Sequence, residues 1–274
     1  MSRIHIATQD GGRFEYELDE LDTLWREGSI SREALYWKEG MSDWLPLRDL
    51  LEEGQGSVAP KQYHFVKDPS GLTQLLIIML WVSIGFEVIS IISHSMELAL
   101  LERIYSASEA EIASNDTRQG MVGLGYLAVF IVTGVVFLKW IYRANLNARN
   151  FTQKTMEFTP GWSIGYYFIP FLNLYKPFRA MREIWQISKD PVDGDTSKSP
   201  ALLQWWWTFW LATGIFGQIS ARLAFSADAD LETYQMADVM SILSGVTGIV
   251  VSLVALRMVM QIYQSQKDLV LQSD

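Results

Sequence analysis

Residues 72–93, LTQLLIIMLWVSIGFEVISIIS, decide how this chain is to be read. The run is apolar throughout except for one charge, Glu87. A helix needs about 20 such residues to cross the hydrocarbon core of a bilayer, whereas the buried helix of a soluble domain is usually shorter. Three further stretches of this kind follow. Met121–Trp140 carries only Lys139, near its end, Ala201–Ala221 carries no charge, and Val239–Leu256 carries none and is followed at once by Arg257. The pattern predicts four transmembrane helices. A fifth stretch, Trp162–Tyr175, is too short to span and is broken by Pro170 and Asn173. It is expected to re-enter the membrane or to lie at its surface, because irregular backbone is tolerated at membrane depth only where protein or water covers it.

The overall composition averages over two populations. The 274 residues are 49% hydrophobic and 19% charged, with a net charge of −9. Residues 1–60 hold 13 acidic against 6 basic side chains, while all the long apolar runs lie beyond them. The chain therefore divides into an acidic head (1–53), a Gly/Ser/Pro-containing linker (54–66), an integral membrane body (67–265) and a cytoplasmic tail (266–274). In the head, Ile4-His5-Ile6 alternates as a strand does. Leu18, Leu21, Leu24 and Trp25 share one helical face, Gly28 is placed to cap that helix, and Ser31 with Ala34, Leu35, Tyr36 and Trp37 makes a turn leading into a second strand. Gly11-Gly12 and the run from Gly40 to Trp44 are turn signals. With no cysteine in the chain, disulfides, thiolate metal sites and cysteine nucleophiles are excluded. A net acidic chain without clustered Lys and Arg is not a nucleic-acid binder.

Charge asymmetry sets the expected orientation. The segments 94–120 and 222–238 are mainly acidic, whereas Lys139 to Pro200 carries nine Lys/Arg. Both termini and the long middle connection are thus expected on the cytoplasmic side of an inner membrane, with the bilayer itself as the first partner. Trp140, Tyr142, Trp205, Trp206, Trp207 and Trp210 fall at that same interface, where amphipathic rings are favoured. The mixed, charged N-terminus lacks a leader pattern, so the head is expected to stay where it is made.

Glu87 is the one ionisable residue well inside a span. Counting from the start of its helix places it in the outer third, at a depth where Arg222 is available as an ion-pair partner. Such residues are costly in lipid and frequently functional. In the broken segment Pro170 removes a backbone donor and Asn173 offers a side-chain amide to the freed carbonyls. The helix from Phe178 that follows is amphipathic, with Arg179, Arg182 and Lys189 on its polar face. Ser241, Ser244, Gly245, Gly248 and Ser252 form a small-residue stripe suited to close helix packing within a monomer or a homo-oligomer. His5, His64 and His94 stand apart and fit no metal-ligand spacing, and no nucleotide-binding or hydrolase motif is present. No catalytic, cofactor-binding or metal residue is therefore expected.

Two resemblances are carried by particular residues. Leu21-x-x-Leu24, Gly28-Ser29-Ile30 and Leu35-Tyr36-Trp37-Lys38-Glu39-Gly40-Met41-Ser42-Asp43-Trp44-Leu45-Pro46 resemble the GYF-like domain of bacterial membrane proteins. The resemblance implies a small α+β fold and a protein-interaction role, which makes Arg13, Phe14, Trp25, Trp37 and Trp44 the candidate partner contacts. Eukaryotic relatives bind proline-rich peptides, but this head has Ile4-His5-Ile6 and Gly12-Arg13-Phe14 where those relatives have Trp-x-Tyr and Gly-Pro-Phe. Arg143-x-x-x-Asn147, Phe168-Ile169-Pro170-Phe171-Leu172-Asn173-Leu174, Pro177-Phe178-x-x-Met181-Arg182-Glu183-Ile184-Trp185 and the Trp205–Trp207 cluster resemble a bacterial membrane family catalogued as domain of unknown function 4328. That resemblance implies an all-α polytopic body and carries no activity with it.

These readings predict a non-enzymatic polytopic membrane protein whose head recruits a cytoplasmic or membrane protein as an adaptor or scaffold. Two alternatives use the membrane-site candidates Glu87, Arg143, Asn147, Pro170, Asn173, Arg182, Trp185 and Arg222. One is a small-solute or ion pathway built on the broken segment; the other is lipid-headgroup binding by the basic helix.

Overall fold

The computed structural model describes residues 4–8, 12–31, 33–39, 41, 43–54, 62–192 and 200–273. They form two compact units, Met1–Gln62 and Tyr63–Asp274. The division falls within the expected linker, most of which lies outside the described residues, as do Gly11, Gly40 and Ser42 of the expected turns.

In the first unit, β1 (Ile4–Ala7) pairs antiparallel with β2 (Arg13–Tyr16) and β3 (Leu35–Trp37), and β3 pairs with β4 (Leu45–Pro46), giving the order β2-β1-β3-β4. Successive strand side chains point to opposite faces. Ile4 and Ile6 are accordingly buried with Leu21 of α1 (Leu18–Arg26), Ile30, Ala34, Tyr36, and Leu47 and Leu50 of α2 (Leu47–Gly54). Gly28 stands at φ +71°, a conformation that an L side chain rarely adopts. There it ends α1, with the Gly28 and Ser29 N–H groups donating to Trp25 and Leu24. The strands β2 and β4 and helix α2 are too short to leave a periodic signal, and the sequence did not indicate them.

The second unit is built on four long helices: α3 (Ser70–Leu101), α4 (Glu109–Phe151), α7 (Ala201–Ala224) and α8 (Leu231–Ser273). Between α4 and α7 lie α5 (Pro160–Gly165), two 3-10 turns at Tyr166–Phe168 and Leu172–Leu174, and α6 (Lys176–Lys189). The register of side-chain contacts fixes the bundle as up-down-up-down. Ser83 meets Thr133 and Ser93 meets Gln119 across α3 and α4. Thr213 meets Thr247 and Ser220 meets Ser241 across α7 and α8, and Glu87 lies against Gly248 while His94 meets Asp238 across α3 and α8.

Three of these helices, α3, α4 and α8, are long and apolar enough to cross a membrane. The expected third span, now α7, has the length, about 36 Å at 1.5 Å per residue. It falls short in apolar character because Gln204, Trp205, Trp206, Trp207, Thr208 and Trp210 crowd its first half. The expected acidic loops also shrink. Residues 94–101 continue α3, and α4 begins at Glu109 behind a capping box in which the Ser108 side chain accepts from the Glu111 N–H and the Glu111 carboxylate accepts from the Ser108 N–H. Hydropathy detects only the apolar middle of a helix, so the capped polar extensions went unseen. The expected tail is likewise helical. Gln266 is buried, and its amide donates to the Ala144 carbonyl and to Ser188 Oγ.

Two residues expected at a membrane site turn out to hold the chain entering α3. The Asn147 amide donates to the Lys67 carbonyl and its oxygen accepts from the Lys67 N–H, while Arg143 donates to the Asp68 carbonyl. Their i, i+4 spacing puts both on one face of α4. Asn147 is fully buried, so Asn147→Ala should leave two backbone groups unsatisfied and destabilise the body by about 1–3 kcal/mol. Thermal unfolding of the detergent-solubilised protein against the exposed control Gln153→Ala measures this.

Candidate functional site

The polar centre of the body is Glu87. Only 8% of it is exposed, and it occupies the junction of α3, α4 and α8. The Tyr126 hydroxyl donates to its Oε1 at 3.1 Å. On the α8 side there is room for the carboxyl group because positions 245 and 248 are glycines. A Cβ on Gly248 would stand 2.6 Å from Glu87 Oε1, and one on Gly245 would stand 2.8 Å from Ile91 Cγ1. The small-residue stripe of α8 therefore accommodates α3 within one chain.

Gly248 neighbours Thr247, which bonds Thr213, so Glu87 lies level with the middle of α7. Arg222 is nine residues beyond Thr213, about 13 Å along the helix. Among the described residues no ion pair joins Glu87 to Arg222, and Tyr126 is the group that satisfies the acid.

Two cavities meet at this point, both lined by Glu87 and Tyr126. The larger, about 920 Å³, is an apolar cleft that follows α7 from Trp206 to Arg222 and reaches Asn173 and Leu174 of the broken segment. Glu87, Asn173 and Arg222 thus share a cleft without touching. The smaller, about 390 Å³, continues to the other end of α3 past Ser90, His94 and Glu97, with Gln119, Ser220, Ser241 and Ser244 around it. Its polar lining was missed because the contributing residues are scattered over four helices. The exception is the 87, 90, 94, 97 spacing on α3, which is helical and was available in the sequence.

The broken segment is where it was expected, and its chain path is irregular. Phe171 has φ +65°, which a bulky residue adopts only under constraint. Pro170 precedes it, and the Asn173 N–H donates to the Ile169 carbonyl. Phe168 and Phe171 are 72% and 82% exposed. The loop entering this segment is clamped by groups that sequence reasoning passed over. Asn145 and Arg149 donate to the Phe158 carbonyl, and Glu183 accepts from the N–H groups of Glu157 and Phe158. Burial pushes the Glu183 carboxyl above the ordinary range, against the lowering effect of those two N–H donors. Arg179 and Lys176 both bond Glu157, and Lys189 lies over the Trp185 ring, which packs on the core. Two of the basic groups offered for lipid headgroups, Arg179 and Lys189, are therefore already occupied within the protein, and Arg182 is also engaged.

In the head, the five candidate contacts separate. Arg13 pairs with Ala7 and Trp37 with His5 across β1, which puts both on the sheet face turned away from Ile4 and Ile6. The Arg13 guanidinium lies 5.8 Å from the centre of the Trp44 ring, and the Trp37 and His5 rings are 5.4 Å apart. Phe14 pairs with Ile6 on the opposite face and is 48% exposed. Trp25 packs against the core. Arg13, Trp37 and Trp44 make one surface; Phe14 and Trp25 are not part of it.

A small strand-rich head joined to a largely helical body with three membrane-crossing candidates defines a membrane protein with a small appended domain. The comparisons with known families agree. The family described as Domain of unknown function (DUF4328) matches residues 103–264, more than half of the chain, and GYF domain 2 matches residues 12–52. The chain belongs to the DUF4328 family and carries an N-terminal GYF domain. The DUF4328 match contains every residue that carried the resemblance, from Arg143 to Trp207. No curated protein and no solved structure matches the chain.

The contact between Glu87 and Gly248 predicts a measurable coupling. Gly248→Ala should destabilise the body by about 1–3 kcal/mol through overpacking, and much less when Glu87→Ala has removed the carboxyl group. A double-mutant cycle on thermal unfolding in detergent checks this, and additive effects would count against the contact.

Proposed function

We propose that this protein is a non-enzymatic membrane adaptor, with the GYF-like head recruiting a protein partner and a four-helix body holding it at a bacterial inner membrane. The carrying observation is the outer sheet face of the head, where Arg13, Trp37, Trp44 and His5 present aromatic and cationic groups on a surface the head's own core does not use. Tryptophan and arginine are the side chains that dominate partner surfaces elsewhere. The partner is a cytoplasmic or membrane protein; the absence of the Gly-Pro-Phe and Trp-x-Tyr motifs argues against a simple proline-rich ligand.

Crossing by α7 is supported by its register. Its bonds to α8 at Thr213–Thr247 and Ser220–Ser241 run beside the apolar part of a helix that is itself able to cross. Tryptophans lower its hydropathy but suit a membrane interface. The broken segment, with Phe168 and Phe171 outermost, fits a wedge entering and leaving by one face. With acidic residues concentrated at one end of the bundle and basic residues at the other, both termini are assigned to the cytoplasm.

A second reading, a small-solute or ion pathway, is favoured by one observation: the two cavities share Glu87 and Tyr126 and together reach from Asn173 to Glu97. Such a path runs through the helix seam, and the broken segment forms only one end of it.

Two experiments test the adaptor reading. The chain has no cysteine, so Ser106→Cys should react with a membrane-impermeant maleimide in intact cells, while Thr155→Cys should react only after permeabilisation. A photo-cross-linking residue at Trp37 of the full-length protein should capture one protein species in native membranes. Arg13→Glu should abolish that capture, and the same probe at Trp25 should yield none. An adduct pattern that ignores Arg13→Glu would sink the recruitment idea.

A further inference from the structure

We infer that His94, Glu97 and Asp238 form a binding site for one divalent transition-metal ion at the end of the α3–α8 seam. His94 and Glu97 are three residues apart and share a face of α3, and Asp238 comes from the first turns of α8. His94 Nδ1 lies 2.8 Å from Asp238 Oδ1 and 3.8 Å from Glu97 Oε2. One ligand atom from each of the three residues falls within 4.8 Å of the other two. A small rearrangement, opening the His94–Asp238 pair and drawing Glu97 in, brings such a set to the roughly 2.0–2.2 Å metal–nitrogen and metal–oxygen distances of a zinc centre.

The independent observation is Asp238 itself. It is 95% buried by the same measure that gives it 5% exposure, and its Oδ2 has no hydrogen-bond partner among the described residues. A single proton on His94 Nδ1 serves one carboxylate oxygen and leaves the other buried and unsatisfied, an arrangement that costs about 1–3 kcal/mol or more for a charged group. Two neighbouring carboxylates with no cation raise that cost further. Among the described residues no Arg or Lys meets them. Arg118 donates to Ser93 and to Asn115, and Arg103 pairs with Glu111. A divalent cation neutralises both acids at once and gives the unsatisfied Oδ2 a partner.

The surroundings resemble those of ligands held for a metal. Gln119 donates its amide to Glu97 Oε2 and Asn115 donates to Glu97 Oε1 at 3.4 Å, which fixes the carboxylate orientation as outer-shell groups do. One imidazole and two carboxylates favour a first-row transition ion such as Zn²⁺ or Mn²⁺ over an oxygen-only Ca²⁺ site. Three protein ligands leave a coordination position free, and His94 and Glu97 also line the smaller cavity. The ion would tie α3 to α8 at the mouth of that cavity. This site depends on neither the adaptor reading nor the membrane orientation.

The test uses the full-length protein in detergent with any affinity tag removed, equilibrated separately with Zn²⁺, Mn²⁺ and Ca²⁺ and assayed for retained metal by mass spectrometry and for the shift in unfolding temperature. One equivalent of Zn²⁺ or Mn²⁺ should be retained against excess Ca²⁺. His94→Ala and Asp238→Asn should each abolish retention, and Gln119→Ala, which spares all three ligands, should weaken it by about 10–100-fold. X-ray absorption of the Zn²⁺ form should show nitrogen and oxygen ligands only. Failure to retain either transition metal, or retention unchanged by the near-isosteric Asp238→Asn, overturns the proposal.

Discussion

The body is organised around the cost of putting the Glu87 carboxyl group inside a helix bundle. Glu87 cannot be left without partners in a low-dielectric interior, and every neighbour it has is shaped by that demand. Tyr126 on α4 donates to it. Gly245 and Gly248 on α8 withdraw so that the carboxyl group and Ile91 fit between the helices. α3 is therefore tied to α4 by a hydrogen bond and to α8 by close approach, at the same level of the bundle. The two cavities meet there because a polar group at a tight seam leaves its other side imperfectly packed.

Towards the two ends the bundle is held differently. At the end carrying α5 and α6, buried amides and charged groups bind backbone: Asn147 takes Lys67, Asn145 and Arg149 take Phe158, Glu183 takes Glu157 and Phe158, and Gln266 takes Ala144. Trp140 donates to Thr73 in the same region, and the largest buried side chains gather there. Each such bond satisfies a group the irregular connection would otherwise expose. The opposite end is joined by polar side chains meeting each other, with His94, Glu97 and Gln119 lining a cavity and Asp238 bonded to His94 beside it. One end is a scaffold for an irregular loop; the other contains the ionisable groups that the scaffold does not need.

This division explains what could be read in the sequence. The apolar cores of the helices were legible because hydropathy reports burial or lipid contact directly, and the break at Pro170 was legible because proline and asparagine act locally. The β1 strand, the α1 face and the Gly28 cap followed from periodicity. The lengths of α4 and α8 were not legible, since their outer turns are polar and rely on caps such as Ser108 with Glu111. Arg143-x-x-x-Asn147 was conspicuous as a motif, but its role depends on Lys67 and Asp68, which are about 80 positions away. The separation of Phe14 from Arg13 across the head's sheet follows from strand pairing that four-residue strands do not announce.

The same contrast bears on where activity in the body resides. The broken segment drew attention because it violates helix chemistry, yet the polar groups clustered at its entry, Asn145, Arg149 and Glu183, are engaged in holding backbone. The α3–α8 seam drew little, because each of its residues is unremarkable alone. On α3, Glu87, Ser90, His94 and Glu97 recur at intervals of three, four and three, so they form one stripe. On α8, Asp238, Ser241, Gly245 and Gly248 recur at three, four and three as well, and the helices run antiparallel so that the acid at one end of each stripe meets the far partner of the other. Two matched stripes of this kind cannot be exchanged for apolar residues one at a time: a larger side chain at Gly248 meets Glu87, and an apolar one at Asp238 strips His94 of its partner. Groups bound to each other so tightly, and open on one side to a cavity, are a better place to look for chemistry than a loop whose irregularity is already accounted for by its own backbone.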